Sequence, residues 1–153
     1  MSVADVPAVA VIWGQGWHDA HSGLVAPALE LIRTPASFTA RAMQRVEKTV
    51  VAVVDCEVVG FVTVIADEVE ELFVERAVRG RGIAAALLHH AEAAIRAEGF
   101  IEGWLAVIAE NTRARRFYER EGWVDRGPFE YQAQGADGPL LVPSHRYARP
   151  LGT

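Results

Sequence analysis

Leu72-Phe73-Val74, a four-residue approach, the turn Arg79-Gly80-Arg81-Gly82-Ile83-Ala84 and the apolar run Ala85-Ala86-Leu87-Leu88 decide how this chain folds. They read as a strand, a tight basic turn and the start of a helix. Two glycines allow a turn whose backbone N–H groups are not screened by Cβ atoms, and the helix that follows brings its positive end to the same place. Exposed N–H groups, a helix N-terminus and two arginines together suit the pyrophosphate of a nucleotide cofactor.

A second motif lies one helix and one strand further on: Asn111-Thr112-Arg113-Ala114-Arg115-Arg116-Phe117-Tyr118-Glu119-Arg120-Glu121-Gly122-Trp123. Glycine turns between strand and helix serve many phosphates, so the first motif alone is weak. The pair is specific. The spacing R-x-x-G-x-A at a helix start, followed by N-x-x-A-x-x-F-Y-x-x-x-G-[FW], resembles the GNAT superfamily of N-acetyltransferases, which bind acetyl-CoA. Ala84 stands where the family's usual loop ends in glycine.

The resemblance implies an α/β fold with a mixed, centrally splayed β-sheet flanked by helices, built as one domain over residues 1–153. Its first strand is short or missing here, reduced to residues 2–4. Around that frame the sequence predicts helices over 24–33 and 38–47, the latter capped by Ser37, after a first helix opened by Asp5-Val6-Pro7. Valine-rich runs at 49–54 and 58–65 predict a hairpin about Asp55-Cys56-Glu57, with a further strand over 69–74. A helix over 83–98 ends at Gly99, a buried strand follows at 104–108, and the second motif forms a helix over 111–121. Strands at 123–131 and 141–147 flank a loop over 134–139.

In the family, two parallel strands part and the pantetheine arm enters between them like an added strand. The matching positions are Leu72, Phe73 and Val74 on one side and residues 105–107 on the other. Backbone groups left unpaired there can bond the amides of the arm. The phosphates would rest on the N–H groups of Gly80, Arg81, Gly82, Ile83 and Ala84, with Arg79 and Arg81 supplying charge. Asn111 would cap its helix and also touch the cofactor. Tyr118 matches the family's general acid, a phenol that is protonated at neutral pH and can give its proton to the leaving thiolate; packing of its helix against the sheet is the competing role.

The base is less defined. An ammonium acceptor must lose a proton before it attacks, and Asp67, Glu68, Glu70 and Glu71 crowd the strand before the glycine turn. Glu70 is the favoured base and Glu71 the next, with solvated strand-end charges as the alternative. Plain strand alternation sets Glu68 and Glu70 beside Leu72 and Val74, whereas a bulge would exchange the faces. For the acceptor, Trp13, Trp17, His18, Asp19 and His21 form an aromatic and titratable cluster, from which Trp17 and His21 are taken as substrate contacts. Core tryptophans with surface histidines are the alternative.

Composition agrees. The chain has 153 residues, 51% hydrophobic, with a net charge of −5. That charge argues against a nucleic-acid partner. No run reaches the ~18 apolar residues of a transmembrane helix and no leader pattern opens the chain, so a cytoplasmic protein without a membrane partner is expected. The one cysteine, Cys56, offers no internal disulfide, and the histidines give no metal-ligand spacing. The reading is acetyl transfer from acetyl-CoA to the primary amine of a small molecule in a direct ternary complex, with self-association into a homodimer left open. Its alternatives are a protein or peptide N-acetyltransferase and a non-catalytic acyl-CoA-binding regulatory module.

Overall fold

The computed structural model describes residues 1–152. The valine runs become β1, Thr49–Val54, and β2, Glu57–Ile65, joined by Asp55 and Cys56 at φ 51° and 65°. Two consecutive residues of positive φ give the two-residue turn whose twist matches that of the strands. Next come β3, Glu68–Val74, and β4, Glu102–Val107, then β5, Val124–Gly135, and β6, Gly138–Pro150. The sheet order is β1-β2-β3-β4-β6-β5, antiparallel except for β3 beside β4.

Helices α1, Val6–His21, α2, Pro27–Ile32, and α3, Pro35–Gln44, precede the sheet; α4, Ile83–Ala97, and α5, Thr112–Arg120, are inserted between its strands. Among the described residues no strand precedes α1; a 3₁₀ turn, Val3–Asp5, stands there. Three boundaries depart from expectation. Thr34, not Ser37, caps α3 by accepting from the Ser37 N–H, because Pro35 starts a helix well and Thr34 stays extended before it. Pro27 likewise delays α2. Residues 134–139 are not a loop: the strands run on to a tight turn between Gly135 and Gly138.

Two cores form, one on each sheet face. On one side Val9, Trp13, Trp17, Leu29 and Phe38 pack against Phe61. On the other, Leu88, Ala91 and Ile95 of α4 and Tyr118 of α5 pack against Val62, Val69, Leu105 and Tyr147. Neighbours Phe61 and Val62 therefore serve opposite cores, as a strand requires. Trp123 of the second motif donates from its indole to buried Glu92 of α4 at 3.0 Å, which fixes the end of α5 against α4.

α1 lies directly on β3. A Cβ built on Gly16 would sit 2.3 Å from the Phe73 ring. Alanine at an interior helix glycine normally gains up to about 1 kcal/mol, but overpacking costs about 1–3 kcal/mol. Overpacking therefore wins. Gly16→Ala should lower Tm by several degrees in a thermal melt; an equal or higher Tm would show that α1 does not bear on Phe73.

Candidate active site

β3 and β4 are bridged at one place, Glu68 opposite Trp104, beside a bond from the Trp104 N–H to the Asp67 carbonyl at 3.0 Å. Beyond that bridge the strands part. The Glu75 N–H donates to the Val59 carbonyl of β2 at 2.8 Å, so by alternation Phe73 turns its backbone groups to β2 while Leu72 and Val74 turn theirs to the gap. Of the three residues expected at the cofactor arm, Leu72 and Val74 thus turn their backbone groups to it and Phe73 does not. On β4 the same alternation from Trp104 brings the backbone of Ala106 to the gap. These N–H and C=O groups lack a strand partner and suit the amides of an extended ligand.

The glycine turn is open. Gly80 and Gly82 have φ of 80° and 79°, and nothing lies within 4 Å of where a Cβ would project. Gly82 caps α4 without a side-chain bond, and the first helical bond runs from Ala86 to the Gly82 carbonyl, which leaves the N–H groups of Ile83, Ala84 and Ala85 free. Arg79 is held below the usual guanidinium range first by burial and then by Arg113 and Arg76. A gathering of like charges at a bare helix N-terminus fits polyphosphate. Arg113, on α5, joins this group across the fold.

A cavity of about 290 Å³ runs through the gap. Leu72, Leu105, Val107, Asn111, Ala114 and Tyr118 line its α4–α5 side. Trp17, His21, Arg33, Arg41 and Arg45 line the other, with Glu68, Glu70, Glu71 and Tyr131. Asn111 caps α5 by accepting from the Ala114 N–H at 3.3 Å and also reaches the cavity. Tyr118 is buried, and burial, then the charge of Glu71, raise its phenol further above the neutral range. It stays protonated.

The acidic strand contains a bulge. Thr63 pairs with Glu71 and Val64 with Val69, so Glu70 is the extra residue. Plain alternation is overturned: Glu68, Glu70 and Glu71 all reach toward the α1–α3 side, and Val69 enters the opposite core. Glu70 is engaged by Arg45 at 3.1 and 3.3 Å. Glu68 accepts from the Tyr131 hydroxyl at 2.6 Å. Glu71 makes only a 3.7 Å approach to Arg41, and burial pushes its carboxyl up to about 8.

The aromatic cluster divides. Trp13 is core, His18 bonds the Arg33 carbonyl at 3.0 Å, and Asp19 pairs with Arg76 at 2.7 Å. Trp17 and His21 reach the cavity, their rings stacked with centres 4.8 Å apart. The Trp17 carbonyl can only accept, so His21 Nδ1 carries the proton at 2.9 Å and Nε2 is left as an acceptor. Burial lowers the imidazole's proton affinity and keeps it neutral. Sequence reasoning missed Arg33 and Arg41, which no motif marks.

The acetyltransferase (GNAT) family model matches residues 17–123, more than half of the chain. The chain belongs to the GNAT family. It is an acetyl-CoA-dependent N-acetyltransferase, with acetyl-CoA as its cosubstrate. Its fold is similar to a GCN5-related N-acetyltransferase of Rhodopseudomonas palustris (TM-score 0.75, 17% identity, covering 98% of this chain and 92% of that one). It is also similar to a ribosomal-protein-alanine N-acetyltransferase of Brucella melitensis (0.73, 17%, 98% and 96%). A third likeness is an N-acetyltransferase of Thermoplasma acidophilum in complex with coenzyme A (0.69, 16%, 98% and 95%). Comparison with curated proteins finds no match. Among the described residues no helix is long and apolar enough to cross a membrane, and no group of three or more His, Cys, Asp or Glu is placed to hold a metal ion.

Glu71 gives the GNAT domain a pH signature. Its folded-state proton affinity exceeds that of the unfolded chain, so the stability it confers is full near pH 4 and is lost as pH rises through about 8. Glu71→Gln should therefore raise Tm more at pH 9 than at pH 5, relative to the unsubstituted protein. Equal shifts at both pH values would mean that Glu71 is ionised throughout.

Proposed function

We propose that the protein transfers the acetyl group of acetyl-CoA directly to the primary amine of a small molecule, without an acyl-enzyme. The observation that carries this is the cavity through the β3–β4 gap, with Tyr118 on one side and Glu71 on the other. Acetyl-CoA supplies an activated acyl group and a thiol leaving group. The backbone of Leu72, Val74 and Ala106 aligns the arm, and Gly80, Arg81, Gly82, Ile83 and Ala84 hold the phosphates with Arg79 and Arg113. Glu71, in place of Glu70, takes the proton from the acceptor's ammonium. A carboxyl near 8 is well matched to an amine, whose unperturbed value is near 10.4. Tyr118 gives its hydroxyl proton to the departing sulfur. Trp17 and His21 border the acceptor.

A small acceptor is supported by the bond from Arg33 Nη2 to the Gln134 carbonyl at 2.7 Å, which ties two walls of the cavity together. A protein N-terminus would need that side open. The intact Tyr118 and Asn111 weigh against a regulatory module without turnover.

The test is release of free CoA from acetyl-CoA across a panel of amines, amino acids and peptides, followed by single-turnover kinetics of Tyr118→Phe with the best acceptor. The ring and its packing remain, so the acetyl-transfer step should slow by about 10²-fold, within the range of a lost general acid, with little change in acetyl-CoA affinity or Tm. A near-normal single-turnover rate would make Tyr118 a packing residue.

A further inference from the structure

Three arginines line the acceptor side of the cavity, and their charges are not equally matched. Arg45 is satisfied by Glu70. Arg33 is only 5% exposed, its Nε has no partner, and among the described residues its guanidinium bonds nothing but the Gln134 carbonyl. Arg41 lies over the Trp13 ring, its guanidinium carbon 4.4 Å from the ring centre, with Nε and Nη1 buried and unpartnered. Its nearest carboxyl, Glu71 at 3.7 Å, is beyond hydrogen-bond distance.

Two guanidinium groups therefore share one wall with a single carboxyl, Glu71, which faces both and is hydrogen-bonded to neither. The strain registers in Arg33, lowered to about 10 by burial and then by the charge of Arg41, with the charge of Glu71 opposing only in part. Each buried N–H left unbonded costs about 1–3 kcal/mol, and more on a charged group, so such an arrangement persists where a ligand completes it. The phosphates of the cosubstrate lie elsewhere, at the bare end of α4.

We infer that the acceptor carries a carboxylate close to its amine, a small amino acid, and that Arg33 and Arg41 bind this carboxylate while Glu68, Glu71 and His21 face the amine. The inference rests on the acetyl-transfer reading above. A planar guanidinium pairs with the two carboxylate oxygens as an ammonium cannot, which suits arginine to this wall. The acidic wall from β3 and the basic wall from α2 and α3 then read one zwitterion from two sides. A simple amine would leave the arginines unpaired.

The experiment compares matched acceptors with and without the carboxylate: alanine against ethylamine, phenylalanine against phenethylamine, lysine against 1,5-diaminopentane. Rejection of an analogue that leaves buried polar groups unpaired is strong, so in the best pair kcat/KM for the acid should exceed that for the amine by about 10²-fold or more. Arg33→Gln, which keeps a donor for Gln134, should bring that ratio to within about threefold of unity through the acid's KM, and Arg33→Lys should restore part of it. A wild-type ratio near one, or a ratio unchanged in Arg33→Gln whatever the absolute rates, overturns the inference. Calorimetry of the same acids and amines with the wild-type CoA complex gives a readout free of turnover and of any folding defect in the variants; equal affinity within a pair also overturns it. Thiol release with amines but not acids defeats this inference alone. No release with any acceptor defeats the acetyl-transfer reading with it.

Discussion

The parting of β3 from β4 beyond the Glu68–Trp104 bridge governs the rest of the molecule. A closed parallel pair would bond its own backbone and leave no room; an open one holds unpaired groups at Leu72, Val74 and Ala106, costly if buried empty and useful to an amide-bearing ligand. The same opening connects the two faces of the sheet. A phenol from α5 and a carboxyl from β3 can then act on one reaction from opposite sides, each with its proton affinity raised by burial.

The bulge at Glu70 is the second element of the design. One extra residue sends Glu70 to Arg45, on the side where Glu71, two residues before Phe73, already lies as the carboxyl of the cavity. Stability is given up at this site: a carboxyl held near 8 and the unbonded Nε atoms of Arg33 and Arg41 are all unfavourable in isolation. Such costs concentrate where a ligand is bound.

Local chemistry made much of this legible in the sequence. The glycines of the Arg79–Ala84 turn, the Asn111 cap and the Phe117-Tyr118 pair are short-range signals, and each stands where the motifs put it. The hairpin at Asp55-Cys56 was readable from its flanking valines. Register was not. Whether Glu68 and Glu70 join Glu71 on the α1–α3 side depends on pairing with Thr63 and Val64, partners that alternation within β3 cannot reveal. Residues 134–139 carry turn-forming Gly and Pro, yet pairing with the rest of β5 and β6 extends the strands through most of them. Arg33 and Arg41 meet Gln134 and Trp13 only through the tertiary fold, so no sequence spacing announces them.

The central claim is that the gap is open backbone which the cosubstrate arm completes, and residue-resolved amide hydrogen exchange tests it most directly. In the free protein the Val74 and Ala106 amides should exchange quickly while Phe73, paired with Phe61, is protected. Saturating acetyl-CoA should then slow Val74 and Ala106 and leave Phe73 as it was. Protection of Val74 and Ala106 without ligand, or exchange there that acetyl-CoA does not change, would contradict the account.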